Sequence, residues 1–155
     1  MRVAVFTRYN VKKTAGTNTY PLFNSHIYLV CRHDDPLAQK QVITNADFQD
    51  QHLMVGANSP AELIKVQQSV INTTNVTYFN SLDHETTQTD IASGKGVCLA
   101  PGFLNDHNHE FKWIPFKTSV VIPCFLCVHS TSLTNSISFL IKQLQQAYRN
   151  SPLGL

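Results

Sequence analysis

Short runs of apolar residues recur along the chain at regular intervals, separated by polar stretches. Runs of about 4 to 8 apolar residues bounded by turn residues are typical of β-strands that are buried on both faces. The sequence therefore predicts strands at 3–6, 26–31, 52–56, 75–79, 96–100, 111–114 and 120–128, and a loop over 7–19 after the first of them.

Between these strands the apolar positions change to helical spacing. The best-defined start is Ser59-Pro60-Ala61-Glu62, which combines an N-cap serine, a proline at the first helical position and a glutamate three residues after the cap. A polar helix is predicted over 82–92, ending at Ser93-Gly94, and a helical turn over 101–104. Thr44-Asn45-Ala46-Asp47 forms a capping box for a helix of a turn or two.

A final helix of about 14 residues is predicted after Thr134 or Ser132, which are alternative caps. Its apolar stripe consists of Ile137, Leu140, Ile141, Leu144 and Tyr148.

Strands that alternate with helices form βαβ units, so the predicted class is α/β with a mostly parallel sheet and helices on both faces. Ligands of such sheets bind at the carboxyl ends of the strands, where helix N-termini present free amides. The residues at these positions are small and polar rather than acid–base groups, which favours binding of a small anion or polar metabolite over its chemical conversion. They are Thr7, Arg8, Ala57, Asn58, Ser59, Asn80, Ser81, Pro101, Gly102 and Phe103.

Composition narrows the class of protein. The 155 residues are 43% hydrophobic and 14% charged, which is the opposite of a disordered composition. The net charge of +2 is much smaller than the positive charge typical of a chain that binds nucleic acid by itself. The apolar runs are too short to span a bilayer, and the N-terminus has no signal-peptide pattern, so we expect a soluble cytoplasmic protein without membrane contact.

The candidate reactive groups favour structural roles. Cys124 and Cys127 lie in a predicted strand, where positions three apart point to opposite faces, so neither a disulfide nor a shared metal is expected. His107 and His109 form an H-x-H segment without a third ligand. Asp83-His84-Glu85 opens the polar helix, where acidic residues complement the helix dipole, with a contact through His84 as the alternative. No catalytic residue, metal site or cofactor is predicted.

The order and spacing of several segments resemble the effector-binding domain of LysR-type transcriptional regulators, over residues 3–149. The similarity starts with the strand 26–31, the turn Arg32-His33-Asp34-Asp35-Pro36-Leu37-Ala38 and the capped segment 42–48. It continues through the strand 53–55, the stretch 56–60, the stretch from Glu85 to Phe103 and the terminal helix. Asp35 stands where the family usually has a histidine.

The resemblance implies a type II periplasmic-binding-protein-like fold, in which two α/β subdomains flank a ligand cleft. It divides the chain into the end of a first subdomain and its crossover (1–22), a complete second subdomain with a mixed, mostly parallel sheet (23–123), and the return strand and helix of the first (124–155). It also places Thr7, Asn58, Ser59 and Asn80 at the cleft, with Pro101, Gly102 and Phe103 at its edge. The helix-turn-helix and the early elements of the first subdomain have no counterpart in residues 1–25, so the resemblance implies an N-terminally truncated regulator. In such a regulator the apolar stripe of the terminal helix, from Ile137 to Tyr148, is expected to be short of covering partners.

Three functions follow as hypotheses. The first is a sensing and oligomerisation module that binds a small polar or anionic effector, forms a homo-oligomer and contacts DNA only through a separate N-terminal domain. The second is a free-standing solute-binding protein of the same fold. The third is a small metal-dependent or thiol enzyme that uses His107 and His109 or Cys124.

Overall fold

The computed structural model describes residues 3–7 and 16–150, except for the side chains of 3–7 and of Ser132. Eight strands and three α-helices are present in this part of the chain. The strands are β1 (Val3–Thr7), β2 (Thr17–Ser25), β3 (Ile27–Arg32), β4 (His52–Gly56), β5 (Thr77–Ser81), β6 (Val97–Pro101), β7 (Phe111–Pro115) and β8 (Ile122–His129). The helices are α1 (Ala61–Thr73), α2 (His84–Ala92) and α3 (Asn135–Arg149), and 3-10 turns cover Pro36–Gln39, Asn45–Phe48, Gly102–Leu104 and Ser130–Ser132.

The strands form two sheets. The large sheet has the order β5-β4-β6-β3-β7, in which β4 runs parallel to β5 and β6, and β3 is antiparallel to both β6 and β7. Four of its five strands therefore point the same way, which confirms the predicted α/β class with a mixed, mostly parallel sheet. The small sheet has the order β1-β8-β2 with both pairs antiparallel.

Helices cover both faces of the large sheet. On one face, Leu63 and Val70 of α1 pack into the main core cluster with Leu29 of β3. On the other face, Ile91 of α2 packs with Met54 and other residues of the central strands. The third helix, α3, belongs to the small sheet, where its buried residues join a separate cluster formed by Leu22, Leu126, Val128, Ile137 and Ile141.

One strand of the small sheet was not predicted. The region 7–19 was predicted to be a loop, and the structure instead forms β2 over Thr17–Ser25; residues 8–15 lie outside the described part. Only Leu22 and Ser25 are buried in β2, and its pairing with β8 shifts between Pro21 and Phe23. Proline and a β-bulge are typical of an edge strand, whose polar and irregular sequence carries no clean alternation.

The helix predicted at Ser59 forms, but Ser59 does not cap it. The N-cap is Pro60, and the Ser59 hydroxyl donates instead to the carbonyl of Gly56 at 2.9 Å. The capping box is present, because the Asp47 carboxylate accepts from the backbone amide of Thr44 at 2.8 Å. Thr134 rather than Ser132 caps α3 and accepts from the Ile137 amide at 3.3 Å.

The apolar stripe of α3 is partly covered by the small sheet. Ile137 and Ile141 are buried, whereas Leu140 is 43% exposed and neighbouring Phe139 is 65% exposed. Leu144 and Tyr148 are partly buried against the same cluster, so Leu140 is the stripe residue that lies at the side of the contact. Among the described residues, no helix combines the length and the apolar character required to cross a membrane.

Candidate functional site

A cavity of about 330 Å³ lies at the carboxyl ends of β4 and β6. Parallel strands of a βαβ unit end on the same side of the sheet, where helix N-termini converge. The lining comes from the ends of β4 and β6 and from the starts of α1 and α2. It consists of Met54, Gly56, Ala57, Asn58, Ser59, Pro60, Leu63, Leu82, Asp83, His84, Thr87, Cys98, Leu99, Ala100, Pro101, Phe103 and Leu104.

The cavity has an apolar floor and an apolar rim. Met54 and Leu99 are buried strand residues that close it from below. At the rim, Leu82, Phe103 and Leu104 are exposed by 79%, 36% and 37% of their surfaces. Large apolar side chains that converge on one opening while still exposed to water mark a surface suited to contact with another molecule.

The loop between β4 and α1 brings polar groups to this opening. Its backbone is fixed because the Ala57 amide donates to the Ser81 carbonyl at 3.1 Å and the Ser59 amide donates to the Gly56 carbonyl at 3.2 Å. A β-carbon on Gly56 would lie 3.2 Å from the Ser59 hydroxyl oxygen, so a larger residue there would require the Ser59 side chain to shift. The exposed Asn58 side chain has no hydrogen-bond partner among the described residues, and no side chain caps α1. This loop therefore presents free donors to the cavity.

The loop between β5 and α2 is a self-contained polar network. Ser81 and Thr87 are buried, and their hydroxyl oxygens lie 2.7 Å apart. The Thr87 hydroxyl is also 2.8 Å from the Asp83 carbonyl, and the Asp83 carboxylate accepts from the Thr86 amide at 2.7 Å. This backbone hydrogen bond holds the pKa of Asp83 below its usual value, so Asp83 is ionised at neutral pH. Each helix carries an acidic residue in its first turn, Glu62 in α1 and Glu85 in α2. The start of α2 is in addition capped by the Asp83 carboxylate, whereas no side chain caps α1.

The third segment that lines the cavity is the 3-10 turn after β6, and hydrogen bonds of its backbone amides hold it in place. The Gly102 amide donates to the His26 carbonyl at 2.9 Å, and the Phe103 amide donates to the Ser25 hydroxyl at 3.2 Å. Because Ser25 is the last residue of β2, the edge of the cavity is tied to the strand that leads out of the small sheet.

The structure brings together half of the predicted site residues. Five of the ten line the cavity, namely Ala57, Asn58, Ser59, Pro101 and Phe103. Ser81 lies directly behind it through its contact with Thr87. Asn80 and Gly102 are not part of the lining. Thr7 lies in the small sheet opposite Cys124, and its side chain is outside the described part of the structure. Arg8 lies outside the described residues.

The loop between β5 and α2 supplies the lining residues Leu82, Asp83 and His84, of which the sequence had named only His84, as an alternative contact. Ligands of α/β sheets bind where the strands end, so this loop was an expected position. However, β5 was predicted to end at Phe79, and it ends at Ser81. The loop that follows β5 is therefore displaced by two residues. The polar segment Asp83-His84-Glu85 was the available signal.

The thiol at the cavity is a poor nucleophile. Cys98 is a buried residue of β6, and burial raises the pKa of its thiol to about 12. Burial also raises the pKa of the Cys124 thiol, to about 11. Within residues 3–7 and 16–150, no three histidine, cysteine, aspartate or glutamate side chains are placed to share a metal ion.

Comparison with known proteins identifies the relatives of this fold. A sequence model described as the LysR substrate binding domain matches residues 3–149. The chain belongs to this family. The match confirms for this LysR-family chain the type II periplasmic-binding-protein-like fold that the resemblance implied. A search of curated proteins found no match.

Several solved structures share the fold of this LysR-family chain at low sequence identity. The regulatory domain of MetR from N. meningitidis is 17% identical, with a TM-score of 0.60 over 97% of this chain and 72% of that one. The reduced OxyR regulatory domain from Pseudomonas aeruginosa is 17% identical, with a TM-score of 0.65 over 96% and 72%. The CcmR regulatory domain from Synechocystis PCC6803, solved in complex with 2-PG, is 15% identical, with a TM-score of 0.66 over 96% and 74%.

Proposed function

We propose that this chain is the ligand-sensing domain of a LysR-type transcriptional regulator and that its effector binds in the cavity between β4, β6, α1 and α2. The observation that carries the proposal is the position of the cavity. It lies at the carboxyl ends of two parallel strands, and three separate loops line it. Membership of the LysR substrate-binding family supports a binding role rather than an enzymatic one.

The effector in this proposal is a small polar or anionic metabolite with an apolar portion. Its polar end would meet Asn58 and the free amides at the start of α1. Its apolar portion would rest against Leu82, Phe103 and the buried floor. A related regulatory domain, that of CcmR, was solved with the small ligand 2-PG, which supports a ligand of similar size.

The domain division predicted from the sequence is part of the proposal. Residues 23–123 would form a complete subdomain, while 1–22 and 124–155 would contribute strands and a helix to a second one. We further propose that the regulator is cytoplasmic and homo-oligomeric, and that its contact with DNA is made outside residues 3–149. Effector binding would then act on DNA by favouring one subunit arrangement over another.

No catalysis is assigned to the chain in this proposal. The histidine at the cavity, His84, is exposed, and the nearby Cys98 thiol is buried with a pKa of about 12. A thiol with so high a pKa is protonated at neutral pH and is not activated for attack.

The test is a thermal-shift screen against a metabolite panel, followed by two matched variants. A ligand that binds only the folded state raises the melting temperature with its concentration. Asn58 lines the cavity and Asn80 does not, yet both are exposed asparagines next to a strand end. We expect Asn58→Ala to weaken a hit about tenfold and Asn80→Ala to leave it unchanged, because the lost hydrogen bond is worth about 1.4 kcal/mol. Hits that respond equally to both substitutions would place the effector elsewhere.

A further inference from the structure

The charged groups around the effector cavity narrow the class of compound that it can bind. Among the described residues that line it, Asp83 is the one acidic residue, and neither lysine nor arginine is present. The Asp83 carboxylate is ionised at neutral pH, since the Thr86 amide at 2.7 Å lowers its pKa. The imidazole of His84 is the only side chain of this lining that can become positively charged. The cavity thus holds a fixed negative charge and no permanent positive one.

The charge of Asp83 is not paired with a lysine or an arginine in the described part of the chain. The ion pairs found there use the carboxylates of Asp34, Asp47 and Asp90 instead. An ionised carboxylate has about four acceptor positions, and the backbone amides at the start of α2 occupy only some of them. The exposed Asp83 carboxylate therefore keeps acceptor capacity for a donor in the cavity.

Asn58 and Asp83 occupy equivalent positions after neighbouring strands. Gly56 of β4 pairs with Ser81 of β5 in parallel register, and each of the two side chains follows two residues later. The Ala57 amide donates to the Ser81 carbonyl at 3.1 Å and so holds the two loops together. Neighbouring strands lie about 4.8 Å apart. One small molecule can therefore contact the free amides before α1 and the Asp83 carboxylate at the same time.

A compound with only one kind of charge matches only one of these two loops. An acid without an amino group would accept from the uncapped start of α1, but Asp83 would repel it and no lysine or arginine of the lining would offset that repulsion. An amine without an acidic group would match Asp83 and leave the donors around Asn58 without an acceptor. A molecule that carries both groups on one carbon atom satisfies both loops.

We propose that the effector is an α-amino acid with an apolar side chain. Its ammonium group donates to the Asp83 carboxylate, and its carboxylate accepts from Asn58 and from the backbone amides before α1. Its side chain lies against Leu82 and Phe103. This inference rests on the function proposed for the cavity and adds to it the recognition of an amino group.

The test compares amino acids with analogues that lack one charged group. The 155-residue protein is titrated in a calorimeter with L-leucine, L-methionine and L-phenylalanine. Each amino acid that binds is then compared with the acid that lacks its amino group and with the amine that lacks its carboxyl group. We expect at least one amino acid to bind saturably and both of its analogues to bind at least tenfold more weakly. The proposal is wrong if none of the three amino acids binds or if the deaminated acid binds as tightly.

Two matched variants test the contact with Asp83. Asp83→Asn keeps an oxygen at the N-cap of α2 and removes the charge, whereas Glu85→Gln removes the same charge from the first turn of that helix, outside the lining. We expect Asp83→Asn to weaken binding of the amino acid about fivefold, as for an exposed ion pair, without weakening binding of the deaminated acid. Glu85→Gln should change neither affinity. Equal losses in the two variants would contradict a direct contact with Asp83.

Failure of this inference differs from failure of the function proposed for the cavity. If the cavity binds an effector of another class, the metabolite screen gives a hit that Asn58→Ala weakens and Asp83→Asn does not. That result would overturn the amino-acid proposal and leave the site in place. Hits that are insensitive to both substitutions would overturn both proposals.

Discussion

At the scale of single residues, burial determines the chemistry of the cysteines. All four lie in strands and are buried as free thiols. Burial raises the pKa of the Cys31 and Cys98 thiols from 9.0 to about 12. The thiolate, which is the reactive form, is therefore suppressed by the fold itself.

Native protein at pH 7 is expected to react very slowly with Ellman's reagent, whereas denatured protein should react at all four thiols.

The raised pKa values of the thiols also predict how the free energy of unfolding changes with pH. An unfolded thiol loses its proton near pH 9 and the folded one does not, so the free energy of unfolding should fall as pH rises above about 9. Rapid labelling of a single thiol in the native state would contradict the burial of these residues.

The lowered pKa of Asp83 predicts that stability falls at acidic pH, whereas the cysteines predict a fall at alkaline pH. The Thr86 amide lowers its pKa in the folded state, so this contribution to stability is present at neutral pH and is lost as pH falls through the lowered pKa. Asp83→Asn keeps an oxygen that accepts at the helix start but does not titrate. The stability advantage of the native protein over this variant should shrink between pH 7 and pH 3 in urea unfolding. A difference that is constant over this range would show that the charge plays no part.

At the scale of elements, α3 provides a matched pair of positions. Ile141 is 4% exposed within the small cluster, and its neighbour Leu140 is 43% exposed. Ile141→Ala should lower the free energy of unfolding by about 2 to 4 kcal/mol because it leaves a cavity. Leu140→Ala should lower it by less than about 1 kcal/mol. Equal losses in chemical denaturation would mean that Leu140 is also packed.

The elements that sequence predicts well are those with a strong local pattern. The strand β4 was predicted with its observed bounds, since its apolar run is bounded by polar and glycine residues. The edge strand β2 was missed because pairing with β8, a contact distant in sequence, creates it rather than any alternation of its own. For the same reason Leu82 and Asp83 were missed at the cavity: pairing with β4 extends β5 to Ser81, and no local signal marks that end.

At the scale of the whole molecule, the two sheets have cores of unequal size. The main cluster around Leu29 and Leu53 joins α1 to the large sheet through sixteen buried residues. The small cluster has five buried residues, of which Ile137 and Ile141 belong to α3, and Leu144 and Tyr148 of that helix are partly buried against it. Local opening follows the number of buried apolar contacts. Amide hydrogens of α3 should therefore exchange with solvent faster than those of α1 in a hydrogen-exchange experiment. Equal protection would show that the chain opens as a single unit.

The pairing of Ser25 with Ile122 in the small sheet has a consequence for how the chain could be rearranged. Everything from 26 to 121, including the whole large sheet, is inserted between two cross-strand neighbours, whose α-carbons lie about 5 Å apart. The large sheet is thus an inserted unit whose two ends are adjacent in space, and the small sheet is the unit that receives the insertion. A short turn that joins the end of β2 to the start of β8 would connect the small sheet without the inserted residues 26–121. Joining residues 26 and 121 to each other would allow new chain termini to be placed in the loops of the large sheet, as in a circular permutation.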